Sequence, residues 1–129
     1  MYNILQSAAM QTFFLELPLP PTINSYYQFN GHRRFVGAKG VQFKKDVAHI
    51  VSQFPIRFGN ARLELTITLH FKTKLRQDLS NRVKALEDAL VQAGLFDDDS
   101  QIDIEHVYRG NVIKAGKTIV QITVIDQKL

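Results

Sequence analysis

The sequence predicts an α+β fold in which two main helices pack on a mixed β-sheet. Residues 61–71 alternate between apolar and polar side chains, as a strand with one buried face does. Residues 81–93 carry an apolar stripe at helical spacing, and Gly94 follows as a natural stop. The predicted order is strand, hairpin, helix, strand, helix, strand, strand, which indicates a mixed sheet with helices on it.

The N-terminal part supplies the first three strands. The apolar segment 12–17 reads as a strand, and the proline-rich segment 18–25 ends it because proline fixes φ and has no amide donor. Segments 26–29 and 33–36 have strand composition. The Asn-Gly pair at 30–31 lies between them, and such a pair is typical of a tight hairpin turn.

The remaining elements follow from periodicity. Residues 38–54 have apolar side chains at roughly helical spacing, and Pro55 ends this predicted helix. Residues 102–109 and 118–125 alternate as strands, with a turn-rich connection between them. Together with the strand 61–71, they complete the predicted sheet.

The length and composition bound the class of protein. A chain of 129 residues predicts a single domain, 1–129, with residues 1–11 as a loose leader. The absence of cysteine excludes disulfides and thiolate metal sites. No apolar run approaches the ~20 residues that a membrane span needs, so we expect no membrane partner and a cytoplasmic location.

The charge is unevenly distributed. Residues 1–84 contain 12 Lys/Arg and 4 Asp/Glu, whereas residues 85–129 contain 4 and 8. This split indicates a surface for a polyanion beside an acidic cluster; the alternative is the uneven charge of many small proteins. Six basic residues are the candidate DNA contacts: Arg33, Arg34, Lys39, Lys72, Lys74 and Arg76.

Acidic segments flank the predicted helix 81–93, with Asp78 before it and a triple aspartate at 97–99 after it. Such a helix carries the chain about 20 Å, so these carboxylates meet only if the chain doubles back after Gly94 or a second subunit brings them together. Two interpretations stay open. Asp78 or Ser80 caps the helix and the aspartates form a solvated turn, or the carboxylates bind magnesium, which prefers oxygen ligands.

Two motifs resemble those of a known family. "PPTINSYY" occupies residues 20–27, and "DLSNRVKALEDALVQAGLFDDDSQI" occupies residues 78–102. Their order and spacing resemble the RusA-type Holliday-junction resolvases, small homodimeric endonucleases of bacteria, prophages and phages. The resemblance covers about residues 13–125. It implies a RusA-like homodimer that cuts four-way DNA junctions symmetrically with Mg²⁺, for which Mn²⁺ can substitute.

The resemblance also implies roles for particular residues. Asp78, Asp99 and Lys84 match the family's catalytic residues. The expected metal ligands are Asp78, Asp98 and Asp99. The residues expected to shape the site are Asn24, Tyr27, Ser80, Asn81 and Gln101.

The chain departs from the family pattern at Ser80, where the family usually has a second aspartate. Serine is neutral and a weaker metal ligand. Two interpretations follow. In the first, Asp97 or Asp98 supplies the missing charge in a rearranged site. In the second, the protein binds junctions but cuts them poorly or not at all. A third, plainer alternative is an interaction domain whose acidic turn binds no metal.

Overall fold

The computed structural model describes residues 12–125 and has six strands and three helices in this part of the chain. Two single 3-10 turns, Ser80–Arg82 and Asp99–Gln101, precede the last helix and the fifth strand. In chain order the elements are β1 (Thr12–Leu17), α1 (Ile23–Tyr26), β2 (Tyr27–Asn30), β3 (Arg33–Val36), α2 (Ala38–Ser52), β4 (Leu63–His70), α3 (Val83–Gln92), β5 (Ile102–Arg109) and β6 (Lys117–Val124).

Four strands form a mixed sheet in the order β1, β6, β4, β5. β6 pairs antiparallel with β1 and β4, whereas β4 and β5 run parallel. Parallel neighbours need a long crossover connection, and α3 supplies it. This crossover carries both of the acidic segments that the sequence singles out.

α2 and α3 pack on one face of the sheet. β4 directs alternate side chains to them, and four of these are fully buried: Leu63, Leu65, Ile67 and Leu69. The helices bury Phe43, Val47, Val51, Leu86, Ala89 and Leu90 against the strands. Removing this apolar surface from water, at about 25 cal/mol per Å², is the main force that holds the helices on the sheet.

The hairpin of β2 and β3 is fixed next to α2 by a close approach at Gly40. A Cβ at this position would lie 2.6 Å from a methyl of Val36 and 2.8 Å from the ring of Tyr26. Tyr26 is completely buried. The first turn of α2 therefore determines where the basic strand β3 lies.

The opposite face of the sheet carries exposed apolar side chains. Phe14, Ile104 and Tyr108 are 58%, 44% and 55% exposed. The strand register places all three on the same side, away from the helices. Because α2 and α3 bury their apolar residues against the other face, we call this side the open face.

The structure confirms the α+β class and the predicted element order. The strand predicted at 61–71 is β4, and the helix predicted at 81–93 consists of a 3-10 turn followed by α3. The predicted leader at 1–11 lies outside the described residues. No helix within residues 12–125 is long and apolar enough to cross a membrane.

Three details differ from the predictions. The hairpin turn is Gly31-His32 rather than the Asn-Gly pair, since Asn30 pairs with Arg33 and Gly31 has a φ of 64°. α2 ends at Ser52, two residues before the predicted end. The short helix α1 was not predicted, because one turn is too brief to show periodicity; Thr22 caps it by accepting a hydrogen bond from the amide of Ser25.

Candidate active site

Asp78 lies exposed in the loop between β4 and α3. The N-caps of the 3-10 turn and of α3 are Leu79 and Arg82, and neither makes a side-chain capping hydrogen bond. The interpretation that Asp78 or Ser80 caps the helix is therefore wrong. Among residues 12–125 the Asp78 carboxylate has no hydrogen-bond or ion-pair partner, so it is free to bind a ligand.

A cleft of about 380 Å³ surrounds Asp78 and is lined by Thr22, Arg76, Gln77, Asp78, Asn81 and Arg82. Two cations beside a free carboxylate suit a phosphodiester that is bound together with a metal ion. The carboxylate and the amide oxygen of Asn81 offer donors to the metal. Ser80, the residue that departs from the family pattern, is exposed next to them.

Arg82 is a residue that the sequence reasoning missed. Its guanidinium donates to the carbonyl of Pro20 at 2.6 Å and to Oε1 of Gln77 at 2.5 Å, and it lies over the ring of Phe71. Burial lowers the pKa of this guanidinium. Arg82 thus joins the proline-rich segment to the loop that carries Asp78. Its place between Asn81 and Lys84 in the motif was the available signal.

The six predicted DNA contacts are all exposed. Arg33 and Arg34 lie on β3, and Lys74 lies in the loop before Asp78. A second cleft, of about 320 Å³, brings Lys39 of α2 together with Lys72 beside the proline-rich segment. Sequence separation alone gave no reason to place these two lysines together, and their contact with DNA stays a prediction.

Lys84 connects α3 to the triple aspartate that follows it. Its Nζ lies 3.2 Å from Oδ1 of Asp88 and 3.4 Å from Oδ2 of Asp99. The pKa of Lys84 is raised, chiefly by its hydrogen bond to Asp88 and to a smaller extent by Asp99. The chain after Gly94 therefore does double back far enough for Asp99 to meet the start of α3.

Asp88 is the second residue that the sequence reasoning missed. It accepts a hydrogen bond from the hydroxyl of Tyr27 at 3.0 Å as well as the contact from Lys84. The Tyr27 ring lies under the guanidinium of Arg34 at 4.3 Å and against Tyr26 at 4.8 Å. The four-residue spacing of Lys84 and Asp88 on a helix was the signal that could have found this pair.

Asn24 lies exposed on α1, beside the cleft that Tyr27 and Arg34 help to line. Its backbone carbonyl accepts a hydrogen bond from the side chain of Gln28. The structure thus places Asn24 and Tyr27 on the hairpin side of the site. Of these two residues, only Tyr27 is connected to Lys84 within residues 12–125, through its hydrogen bond to Asp88.

Asp98 has a structural role in the acidic turn. It caps the 3-10 turn by accepting a hydrogen bond from the amide of Ser100, and the Ser100 side chain, followed by this amide, lowers the pKa of the carboxyl. Asp97 is exposed, whereas Asp99 is half-buried beside Lys84. The three neighbouring aspartates therefore lie in different environments rather than forming one cluster.

The buried side chain of Gln101 stabilises this turn. It is 4% exposed, and its Oε1 accepts from the amides of Asp97 and Asp98. Its Nε2 donates to the carbonyls of Gly59 and Ala61. Every donor and acceptor of one buried amide side chain is used, which explains why a glutamine follows the aspartates.

A second acid pair lies close to the lysine. Burial, followed by the neighbouring Glu105 of β5, raises the pKa of Glu87 of α3 to about 8. This shift favours the neutral form of the Glu87 carboxyl. Neither glutamate was singled out from the sequence.

The donors fit a magnesium ion that is held by few protein ligands. Magnesium usually takes one or two carboxylates and keeps several waters, and Asp78 and Asp99 offer carboxylate oxygens that cap no helix. Within residues 12–125, however, no three His, Asp or Glu side chains lie close enough to hold a metal ion. The predicted set of Asp78, Asp98 and Asp99 is thus not assembled in the isolated chain, and its convergence stays a prediction.

Comparisons with known proteins agree with the motifs. Residues 18–124 match the family described as Endodeoxyribonuclease RusA. The chain is 36% identical over 115 residues to crossover junction endodeoxyribonuclease RusA of Escherichia coli K12. This match covers 88% of this chain and 96% of that protein. The chain is 32% identical over 118 residues to the protein of the same description from Enterobacteria phage HK97, with 91% and 98% covered.

Gln101→Ala is expected to lower the free energy of unfolding by about 2–3 kcal/mol, because buried backbone groups lose their partners. Urea denaturation followed by circular dichroism measures the change. Gln92→Ala, at an exposed position at the end of α3, is the control and should change stability by less than about 0.5 kcal/mol. Equal stability of the Gln101 variant and the wild type would contradict the structural role.

Proposed function

The chain belongs to the RusA family of endodeoxyribonucleases, and we propose that it resolves Holliday junctions by symmetric, metal-dependent hydrolysis of two phosphodiester bonds. One observation carries the proposal. Among residues 12–125 Asp78 is exposed without a partner in a cleft with two arginines, while Lys84, six residues further on, contacts Asp99. Free carboxylates, a fixed lysine and flanking cations are the parts that hydrolysis of a phosphodiester needs.

Asp78 and Asp99 are the proposed metal ligands, and Asp98 can contribute the oxygen that does not cap the turn. When bound, Mg²⁺, or Mn²⁺ in its place, activates water and stabilises negative charge on the phosphate. Lys84 stabilises charge on the scissile phosphate. Arg76 and Arg82 line the cleft and orient the DNA backbone next to Asp78.

The proposed substrate is branched DNA. The exposed cations of β3, of the first turn of α2 and of the loop before Asp78 supply contacts to phosphate. Each neutralised phosphate releases counterions, so junction affinity falls steeply with salt. Because the relatives come from Escherichia coli and an Enterobacteria phage, we propose that this activity belongs in the cytoplasm of a bacterium, where such DNA occurs.

A homodimer is the proposed active form, because two strands related by near two-fold symmetry must be cut. The open face supports this, since Phe14, Ile104 and Tyr108 expose apolar area there. Burial of this area against a second copy stabilises the dimer. The dimer then presents two equal sites.

The second candidate function is junction binding with weak or absent cleavage. Ser80 favours it, because the position next to Asp78 that usually carries a carboxylate is neutral. Both candidates share the same DNA surface. They differ in what happens after a metal ion is added.

Purified protein with Mg²⁺ is expected to nick a mobile four-way junction symmetrically, and Asp78→Asn and Asp99→Asn should each slow cleavage at least about 100-fold. Loss of a metal ligand costs at least as much as loss of the groups that orient one. Denaturing gels of end-labelled strands measure the rate. Gln92→Ala, at an exposed position of α3 outside both clefts, is the control and should cut normally.

The outcomes of this assay separate the candidates. Tight binding by the wild type without cutting in Mg²⁺ or Mn²⁺ favours the binding module, and the absence of salt-sensitive binding leaves an interaction domain. Mixing the Asp78 and Asp99 variants locates the site. A site shared across the dimer regains nicking in mixed dimers, whereas a site within one chain does not.

Ser80→Asp is expected to preserve or raise the Mg²⁺-dependent cleavage rate, because a carboxylate next to Asp78 adds charge to the metal site. Rates over a range of Mg²⁺ concentrations should show half-maximal activity at a lower concentration. Ser80→Asn, which adds a neutral amide, is the control for side-chain size. A clear loss of activity in the aspartate variant alone would show that serine has its own role.

The double variant Ile104→Glu/Tyr108→Glu is expected to convert a dimer into a monomer of 14.7 kDa, because it places charges on the open face. Size-exclusion chromatography with light scattering measures the mass. Val41→Glu, which makes the same kind of change at a 42% exposed residue of α2, should remain dimeric. A double variant that keeps the dimer mass would place the interface elsewhere.

A further inference from the structure

We propose that Asp88 is a positioning residue for junction cleavage: it holds the ammonium of Lys84 in place, and Tyr27 holds Asp88. The inference rests on the proposed function, because it assumes that Lys84 acts on the scissile phosphate. Asp88 matches none of the residues to which the family motifs assign a role. Its place in the site follows from its two contacts in the structure.

The two oxygens of Asp88 have different partners. Oδ1 lies 3.2 Å from Nζ of Lys84, and Oδ2 accepts the hydroxyl of Tyr27 at 3.0 Å. A lysine carries its charge at the end of a flexible four-carbon chain. A carboxylate that is itself fixed restricts that charge to one place, and a free carboxylate would not.

Tyr27 is rigid enough for this purpose. Its ring packs at 88° against Tyr26, which is completely buried, and the guanidinium of Arg34 covers it. Its hydroxyl therefore has a fixed position before DNA binds. Arg34, a proposed DNA contact, is thereby connected to Lys84 through Tyr27 and Asp88.

Asp88 is better suited than Asp99 to keep the ammonium of Lys84 in one position. Asp99 is a proposed metal ligand, and a cation there competes with the ammonium for the same carboxylate. Asp88 lies four residues after Lys84 on α3, a spacing that keeps the two side chains adjacent on a helix. Its side chain is 26% exposed, against 36% for Asp99, so water screens this pair less.

Asp88→Asn keeps the shape of the side chain but removes the charge that holds Lys84. The single-turnover cleavage rate at saturating protein should fall about 10- to 100-fold, the usual cost of losing a group that orients a catalytic ligand. The junction Kd, measured with Ca²⁺ in place of Mg²⁺, should stay within about twofold of wild type. Tyr27→Phe should lower the rate about fivefold, as loss of one hydrogen bond does.

Gln92→Ala is the control, because Gln92 lies exposed at the end of the same helix and lines neither cleft. It should leave the rate and the Kd unchanged. Thermal melting identifies variants that do not fold. If Asp88→Asn fails to fold, Tyr27→Phe tests the same connection through the loss of one hydroxyl.

Two further measurements separate positioning from general stability. In a Lys84→Met background, Asp88→Asn should cause no further loss of cleavage rate. If the role of Asp88 were structural, the substitution would lower the rate in this background as much as it does in the wild type. NMR of ¹⁵N-labelled lysine ammonium groups should show that Nζ of Lys84 becomes more mobile in Asp88→Asn. This readout does not depend on cleavage.

The inference is overturned if Asp88→Asn cuts like the wild type, if its loss persists without the lysine, or if the ammonium of Lys84 stays equally ordered. The proposed function fails in a different way. A wild-type protein that cuts no junction overturns both, whereas a cutting wild type with an unaffected Asp88 variant overturns the positioning role alone.

Discussion

The packing of α3 against the sheet is the constraint on which the site depends. Ala85, Leu86, Ala89 and Leu90 bury one side of this helix almost completely. The helix cannot rotate without exposing that apolar surface to water. Its other side is thereby fixed outward, and Lys84 and Asp88 project from it. The position of the lysine is thus determined first by hydrophobic burial and only then refined by ion pairs.

The parallel pairing of β4 and β5 adds the second constraint. It requires the chain to return after α3 to the level at which β5 begins, and the acidic turn lies on that return. Gln101 and the cap formed by Asp98 keep the turn in one conformation. The repulsion among the neighbouring aspartates is reduced because one caps the turn, one pairs with Lys84 and one is exposed to water.

The elements with regular periodicity could be predicted well. β4 buries every second side chain, and α3 buries side chains at helical spacing. Both patterns can be recognised in consecutive residues of the sequence. Periodicity could not predict three short features, because one turn of chain shows no repeat. These features are the short helix α1, the 3-10 start of α3 and the hairpin turn at Gly31-His32. The capping interpretation of Asp78 failed for a related reason. A 3-10 turn intervenes between this residue and α3, so its side chain is not at an N-cap.

The sequence by itself determined the elements, the types of chemical group and the spacing of the motifs that identify the family. Only the tertiary structure decided which of those groups meet. Tyr27 and Asp88 are 61 residues apart, and Lys84 and Asp99 are 15 apart with a helix between them. Such contacts depend on how α3 and the hairpin pack, and no local pattern encodes that packing. In the sequence, Arg82 and Asp88 stood out only by their spacing from Lys84, and no local pattern showed what their side chains contact.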